Sequence, residues 1–119
     1  MRELSFDILA EITKRLAESI EPEIVYLFGS HSADTADEYS DIDLLVIVAD
    51  TERSTREIAR QGRASLRSLM FPVDLVVCTQ SQLKKWADVK CSLIYTVTRK
   101  GKLIYESQRR TGKGMAHAG

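Results

Sequence analysis

Two aspartates stand at the start of an otherwise apolar segment, and this feature most limits how the chain can fold. Asp41 and Asp43 open a run of aliphatic side chains that continues to Val48. Ten residues, 31–40, separate this run from an earlier apolar run that stops at Gly29-Ser30. Aspartate is depleted in β-strands and costly to bury without a partner. The fold must therefore provide something that holds these two charges.

The hydrophobic pattern predicts an α/β fold in which a small mixed β-sheet is flanked by helices. The predicted helices cover residues 4–20, 52–70, a short stretch reaching Trp86 and about 88–99, and the predicted strands cover 23–28, 41–49, 73–78 and 102–106. The acidic residues at 50–52 are expected to begin the second helix, Thr79 or Ser81 to cap the third, and Gly101 to end the fourth. The strand–helix–strand unit from Asp41 to Cys78 is expected to have its two strands parallel, whereas the first two strands of the chain are expected to be antiparallel.

Composition limits the classes of function. The 119 residues suffice for one domain, predicted at 1–106, and residues 107–119 lack apolar periodicity and are expected to be disordered. Basic and acidic residues number 17 each, so a zero net charge gives no general attraction to nucleic acid. No apolar run approaches the ~20 residues of a membrane span, and no signal-peptide pattern is present. A cytoplasmic protein without a membrane partner is expected.

Three aspartates are predicted to converge on one patch. Asp41 and Asp43 share a face because side chains alternate along a strand. Asp74 is the second residue of the next strand, and the entry ends of parallel neighbours lie side by side. Converging carboxylates repel one another unless cations lie between them, and Mg²⁺ prefers such oxygen ligands. A pair of metal ions there would suit phosphoryl or nucleotidyl transfer.

The Gly29-Ser30 pair is predicted to hold phosphate. A glycine after a strand lets the backbone approach a phosphate closely. A helical turn after it would present free N–H groups, and the Ser30 hydroxyl would add a donor or cap that turn.

Together these residues resemble the minimal nucleotidyltransferases of the polymerase-β-like superfamily. The motif is Gly29-Ser30, ten residues, Asp41-Ile42-Asp43 and a later Asp74 in the third strand. The resemblance implies that Asp41, Asp43 and Asp74 ligate two Mg²⁺ ions, with Asp74 helping to deprotonate the acceptor. It also implies that Gly29 and Ser30 hold the triphosphate of ATP.

Small stand-alone members resemble antitoxins that pair with a HEPN-domain ribonuclease toxin. The resemblance therefore implies transfer of AMP to a hydroxyl of that partner within a hetero-oligomer. Nucleic acid is not expected as the direct substrate, because this short chain has no second domain to hold it.

One stretch departs from the family pattern and supports an alternative function. The family commonly has Arg-x-Arg-Gly after Gly-Ser, whereas this chain reads His31-Ser32-Ala33-Asp34. Loss of one charge-assisted contact between an arginine and phosphate typically costs about 1.5–3 kcal/mol of binding free energy, which is enough to weaken an enzyme without disrupting its fold. The alternative is thus an antitoxin with weak or no catalysis that neutralises the toxin by binding; a nucleotide sensor is a third possibility.

Two further features have both a structural and a functional interpretation. The second helix carries an arginine stripe, defined as Arg53, Arg56, Arg60, Arg63 and Arg67. Such a stripe is most often a solvated outer face, and otherwise a contact surface for an acidic partner or RNA. Trp86 is predicted to belong to the core, with a platform for stacking bases as the alternative.

Overall fold

The computed structural model describes residues 6–29, 42–69, 72–89 and 92–107. Its elements are α1 (Phe6–Ile20), β1 (Ile24–Phe28), β2 (Ile42–Val48), α2 (Thr55–Leu66) with a 3-10 turn (Arg67–Leu69), β3 (Val73–Thr79), α3 (Gln80–Trp86), α4 (Leu93–Lys100) and β4 (Lys102–Glu106). Within those ranges, no helix combines the length and the apolar character needed to cross a membrane. The start of the first predicted helix, the 31–40 loop and residues 108–119 of the predicted tail lie outside the described residues.

The four strands form one mixed sheet in the order β3-β2-β1-β4. β1 pairs antiparallel with both β2 and β4, and β2 pairs parallel with β3. The predicted fold class, the antiparallel first pair and the parallel second pair are confirmed. Ser107, the first residue of the predicted tail, is buried, and its N–H donates to the carbonyl of Glu23.

A separate apolar cluster lies on each face of the sheet. α1 and α2 cover one face, where Leu16 of α1 and Ile58 of α2 pack with alternate residues of β2 such as Leu44. On the other face, Leu45 and Ile47 cluster with Val97 of α4. β2 is therefore buried on both sides, as its unbroken aliphatic sequence predicts.

Two helix starts differ from prediction because serines cap them. α2 begins after Ser54, whose hydroxyl accepts from the Glu57 N–H, rather than at the acidic residues before it. Asp50 instead accepts hydrogen bonds from the backbone and hydroxyl of Ser81, which lower the pKa of its carboxyl. α4 begins after Ser92, whose hydroxyl accepts from the Tyr95 N–H and donates to the carbonyl of Trp86 at the end of α3, so that 88–89 lie outside the helix.

Trp86 was wrongly predicted to be a core residue. It ends α3 with 40% of its surface exposed, and Lys85 lies over its ring. The side chain of this short helix that faces the sheet is Leu83, which packs against the second cluster, the one containing Leu45, Ile47 and Val97. Thr79 caps α3 as predicted. Gly101 also ends α4 as predicted, although its backbone is extended. The position favours glycine because a Cβ there would press on the carbonyl of Leu27.

Close packing joins α1 to α2. A Cβ built at Gly62 would lie 2.9 Å from a methyl of Leu75 and 3.2 Å from one of Ile20. The two helices are also linked by Arg15, which donates to the carbonyl of Ser65. The absence of a side chain at position 62 thus lets α2 sit close to both α1 and β3.

We expect Gly62→Leu to destabilise the fold. Overfilling a packed core typically costs about 1–3 kcal/mol. Ala64→Leu places the same side chain at an exposed position of the same helix and serves as the control. Chemical denaturation should give a lower free energy of unfolding for the Gly62 variant alone; equal values for both variants would contradict the packing described.

Candidate functional site

The candidate site lies at the edge of the sheet where β1 ends and β2 and β3 begin. In the register, Asp43 pairs with Phe28 of β1 on one side and with Asp74 of β3 on the other. Adjacent strands are about 4.8 Å apart, so the two aspartates are direct neighbours. The predicted closeness of Asp43 and Asp74 therefore follows from the strand pairing.

Both carboxylates belong to the face of the sheet that α3 and α4 partly cover. Side chains alternate along a strand, so Asp43 shares a face with Leu45, and Asp74 shares one with Val76 and Cys78. These three apolar residues pack in the second cluster. The clustered side chains thus form an apolar base beside two acidic groups at the open end of the sheet.

The two acidic groups differ in exposure. Asp43 is half-buried and Asp74 is exposed. A ligand can therefore reach the site from solvent on the Asp74 side while Asp43 forms its inner wall. Cys78 lies deeper on the same face, and burial raises the pKa of its thiol to about 11, so it stays protonated and packs as an apolar residue.

Gly29 packs directly against Asp43. Its φ is +78°, in the left-handed region that glycine adopts easily. A Cβ at this position would overlap the Oδ2 atom of Asp43 and lie 3.3 Å from its Cγ. Sequence reasoning explained the glycine by the approach of a phosphate and missed this contact. Glycine is needed here for the carboxylate as well.

The predicted site is only partly covered by the described residues. Gly29, Asp43 and Asp74 are brought together, whereas Ser30 and Asp41 lie outside the described part of the chain. Within that part, no group of three or more potential metal ligands occurs. The two neighbouring carboxylates are hard oxygen donors on an accessible edge, which suits them to hold Mg²⁺ jointly with phosphate oxygens.

Comparisons with known proteins identify the family of this chain. The family model described as polymerase beta, nucleotidyltransferase matches residues 10–110. The chain belongs to this nucleotidyltransferase family. No match is found among curated protein sequences.

Several solved structures of toxin–antitoxin pairs are similar to this nucleotidyltransferase. One, crystallised with AMP-PNP, has 31% identity and a TM-score of 0.57 over 86% of this chain and 76% of its own. A second, an MntA–HpeT variant with two aspartates two positions apart changed to glutamate, has 28% identity and a TM-score of 0.54, covering 86% and 75%. A third holds a tri-AMPylated Shewanella oneidensis HEPN toxin in complex with an MNT antitoxin, at 25% identity and a TM-score of 0.50, covering 87% of this chain and 74% of its own.

We expect Gly29→Ala to destabilise the protein for two separable reasons. The left-handed backbone opposes any Cβ, and the added methyl group overlaps the Asp43 carboxylate. Asp43→Ala removes the carboxylate, so that a methyl group at position 29 would meet only the Cβ of residue 43, at an ordinary contact distance of 3.5 Å. A double-mutant cycle by denaturation should therefore show Gly29→Ala costing about 1–2 kcal/mol more in the wild type than beside Asp43→Ala. Additive effects would contradict the contact.

Proposed function

We propose that this nucleotidyltransferase is an antitoxin that transfers AMP from ATP to a hydroxyl group of a partner HEPN toxin, with Mg²⁺ as cofactor. The observation that carries the proposal is the parallel register that sets Asp43 beside Asp74, with Gly29 packed against Asp43. Its support from known proteins is the similarity to toxin–antitoxin structures, one with AMP-PNP and one with an AMPylated toxin.

Asp43 and Asp74 would hold the metal together with Asp41. Asp41 lies two residues before Asp43, so strand alternation would place it on the same face. The variant relative with two changed aspartates has this same spacing of two positions, which supports a paired role. When bound, Mg²⁺ would neutralise charge on the triphosphate and polarise the phosphate under attack.

The chain's own residues would orient the two reactants and move one proton. Gly29 and Ser30 would bind phosphate oxygens through backbone N–H groups and the serine hydroxyl. The acceptor oxygen forms a bond to the α-phosphorus, the bond from that phosphorus to the bridging oxygen breaks, and diphosphate leaves. Asp74, the exposed carboxylate, would accept the hydroxyl proton of a partner arriving from solvent.

We expect Asp43→Asn and Asp74→Asn each to abolish most AMP transfer. Removal of one charged group that acts in the transition state commonly costs at least about 10²-fold in rate. The assay is label transfer from α-labelled ATP to the proposed HEPN partner. Asp50→Asn is the matched control, because Asp50 follows the end of β2 that lies away from Asp43 and accepts a hydrogen bond from Ser81. Full activity of the Asp43 and Asp74 variants would overturn the proposal.

A second candidate function is neutralisation by binding alone, which the sequence His31-Ser32-Ala33-Asp34 favours because it lacks the family's basic residues. In that case Asp41→Asn combined with Asp43→Asn should leave toxin neutralisation at the wild-type level in a growth assay. Loss of neutralisation by this double variant, with the complex still formed in size-exclusion chromatography, would exclude binding alone.

A further inference from the structure

The arginine stripe lies exposed along α2 and the residues beside it. All five of its arginines are exposed, and the four from position 56 onward fall within an arc of about 60° at 100° per residue. Among the described residues, none of the five forms an ion pair; Arg53 donates to the amide oxygen of Gln61. Arg56, Arg60 and Arg63 thus lie on successive turns of α2, and Arg67 follows in the 3-10 turn.

The helix that carries the stripe is held firmly in place. Gln61 donates to the carbonyl of Ser19 in α1, and Arg15 donates to Ser68 just beyond α2. Gly62 packs tightly against three aliphatic side chains of α1 and β3. A rigid backbone reduces the entropy lost when such a surface binds a partner.

An open depression lies at the C-terminal end of the stripe. It is lined by Arg63, Leu66, Arg67 and Val73 and has a volume of about 370 Å³. Two arginines and two aliphatic residues therefore line the same depression, a mixed surface that suits an apolar side chain with acidic neighbours.

The stripe runs toward the edge of the sheet that holds the two aspartates. Val73, which lines the depression, directly precedes Asp74 and pairs with Ile42 at the start of β2. α2 packs on the sheet face opposite the one that carries Asp43. A partner lying along the stripe would thus reach the acidic edge without covering the face on which the carboxylates lie.

We propose that the arginine stripe docks an acidic helical face of the protein partner, with an apolar side chain seated between Arg63 and Arg67. The inference rests on the proposed function for the identity of that partner. Guanidinium groups one helical turn apart, about 5.4 Å along the axis, match carboxylates on successive turns of a second helix. Docking there would position the acceptor hydroxyl at the acidic edge.

Three observations favour an acidic protein over RNA. Every basic residue between positions 53 and 67 is arginine, which is enriched at protein interfaces, whereas lysine is depleted there. Aromatic side chains, on which unpaired bases stack, are absent from α2. The net charge is zero, so the chain lacks the broad positive field typical of nucleic-acid binding.

The test reverses two charges in the middle of the stripe with Arg60→Glu and Arg63→Glu. Affinity for the HEPN partner, measured by calorimetry, should fall by about 10–100-fold. In the transfer assay the KM for the partner should rise, while the KM for ATP and kcat at saturating partner stay unchanged. Lys14→Glu with Lys84→Glu makes the same charge change at exposed positions of α1 and α3 and should have little effect. Thermal melting checks that both proteins fold.

Two synthetic helical peptides test the surface independently of the partner. One carries glutamates on successive turns around a central leucine, and the other has lysine at each of those positions. The wild type should bind the acidic peptide, and the charge-reversed variant should prefer the basic one. A 20-nucleotide single-stranded RNA is measured in parallel.

The outcomes separate this inference from the proposed function. If AMP is transferred but charge reversal leaves the partner's affinity and KM unchanged, the docking inference is overturned and the function stands. If the partner never binds, the proposed partnership fails, and equal binding of both peptides then overturns the docking inference too. Stripe-dependent binding of the RNA without binding of the acidic peptide would identify a nucleic-acid surface instead.

Discussion

The parallel pairing of β2 with β3 is the constraint on which the rest of the structure depends. β2 is central and aliphatic on both faces, so it can be buried only between two helical layers. Joining it to a parallel neighbour requires a crossover, which α2 provides. The same register places Asp43 opposite Asp74 at the entry ends of the strands. The core and the acidic edge thus arise from one set of backbone hydrogen bonds.

Gly29 links the apolar sheet to this acidic edge. β1 runs antiparallel to β2, so Phe28 at the end of β1 pairs with Asp43, and Gly29, the next residue, lies beside that aspartate. Its positive φ and its contact with the Asp43 carboxylate both require the absence of a side chain. Gly29 is therefore a packing requirement of the fold, independently of any ligand.

Charge is neutral over the whole chain but strongly separated in space. The carboxylates of Asp43 and Asp74 lie on the sheet face that α3 and α4 cover, whereas the arginine stripe lies on α2, on the opposite face. The sheet and its helical layers thus lie between the acidic pair and the arginine stripe.

Local patterns in the sequence were enough to predict the strands, α1, the pairing of β2 with β1 and with β3, and the family, because aliphatic periodicity and the Gly29 to Asp43 spacing are properties of consecutive residues. The start of α4, the role of Asp50 and the exposure of Trp86 were not predictable in this way. A helix start depends on whether a serine or an acidic residue caps it, and Asp50 bonds Ser81 of a distant segment instead. The exposure of Trp86 depends on which side chain of the short helix α3 faces the sheet, and that side chain is Leu83. The contact of Gly29 with Asp43 likewise exists only once two strands distant in sequence pair.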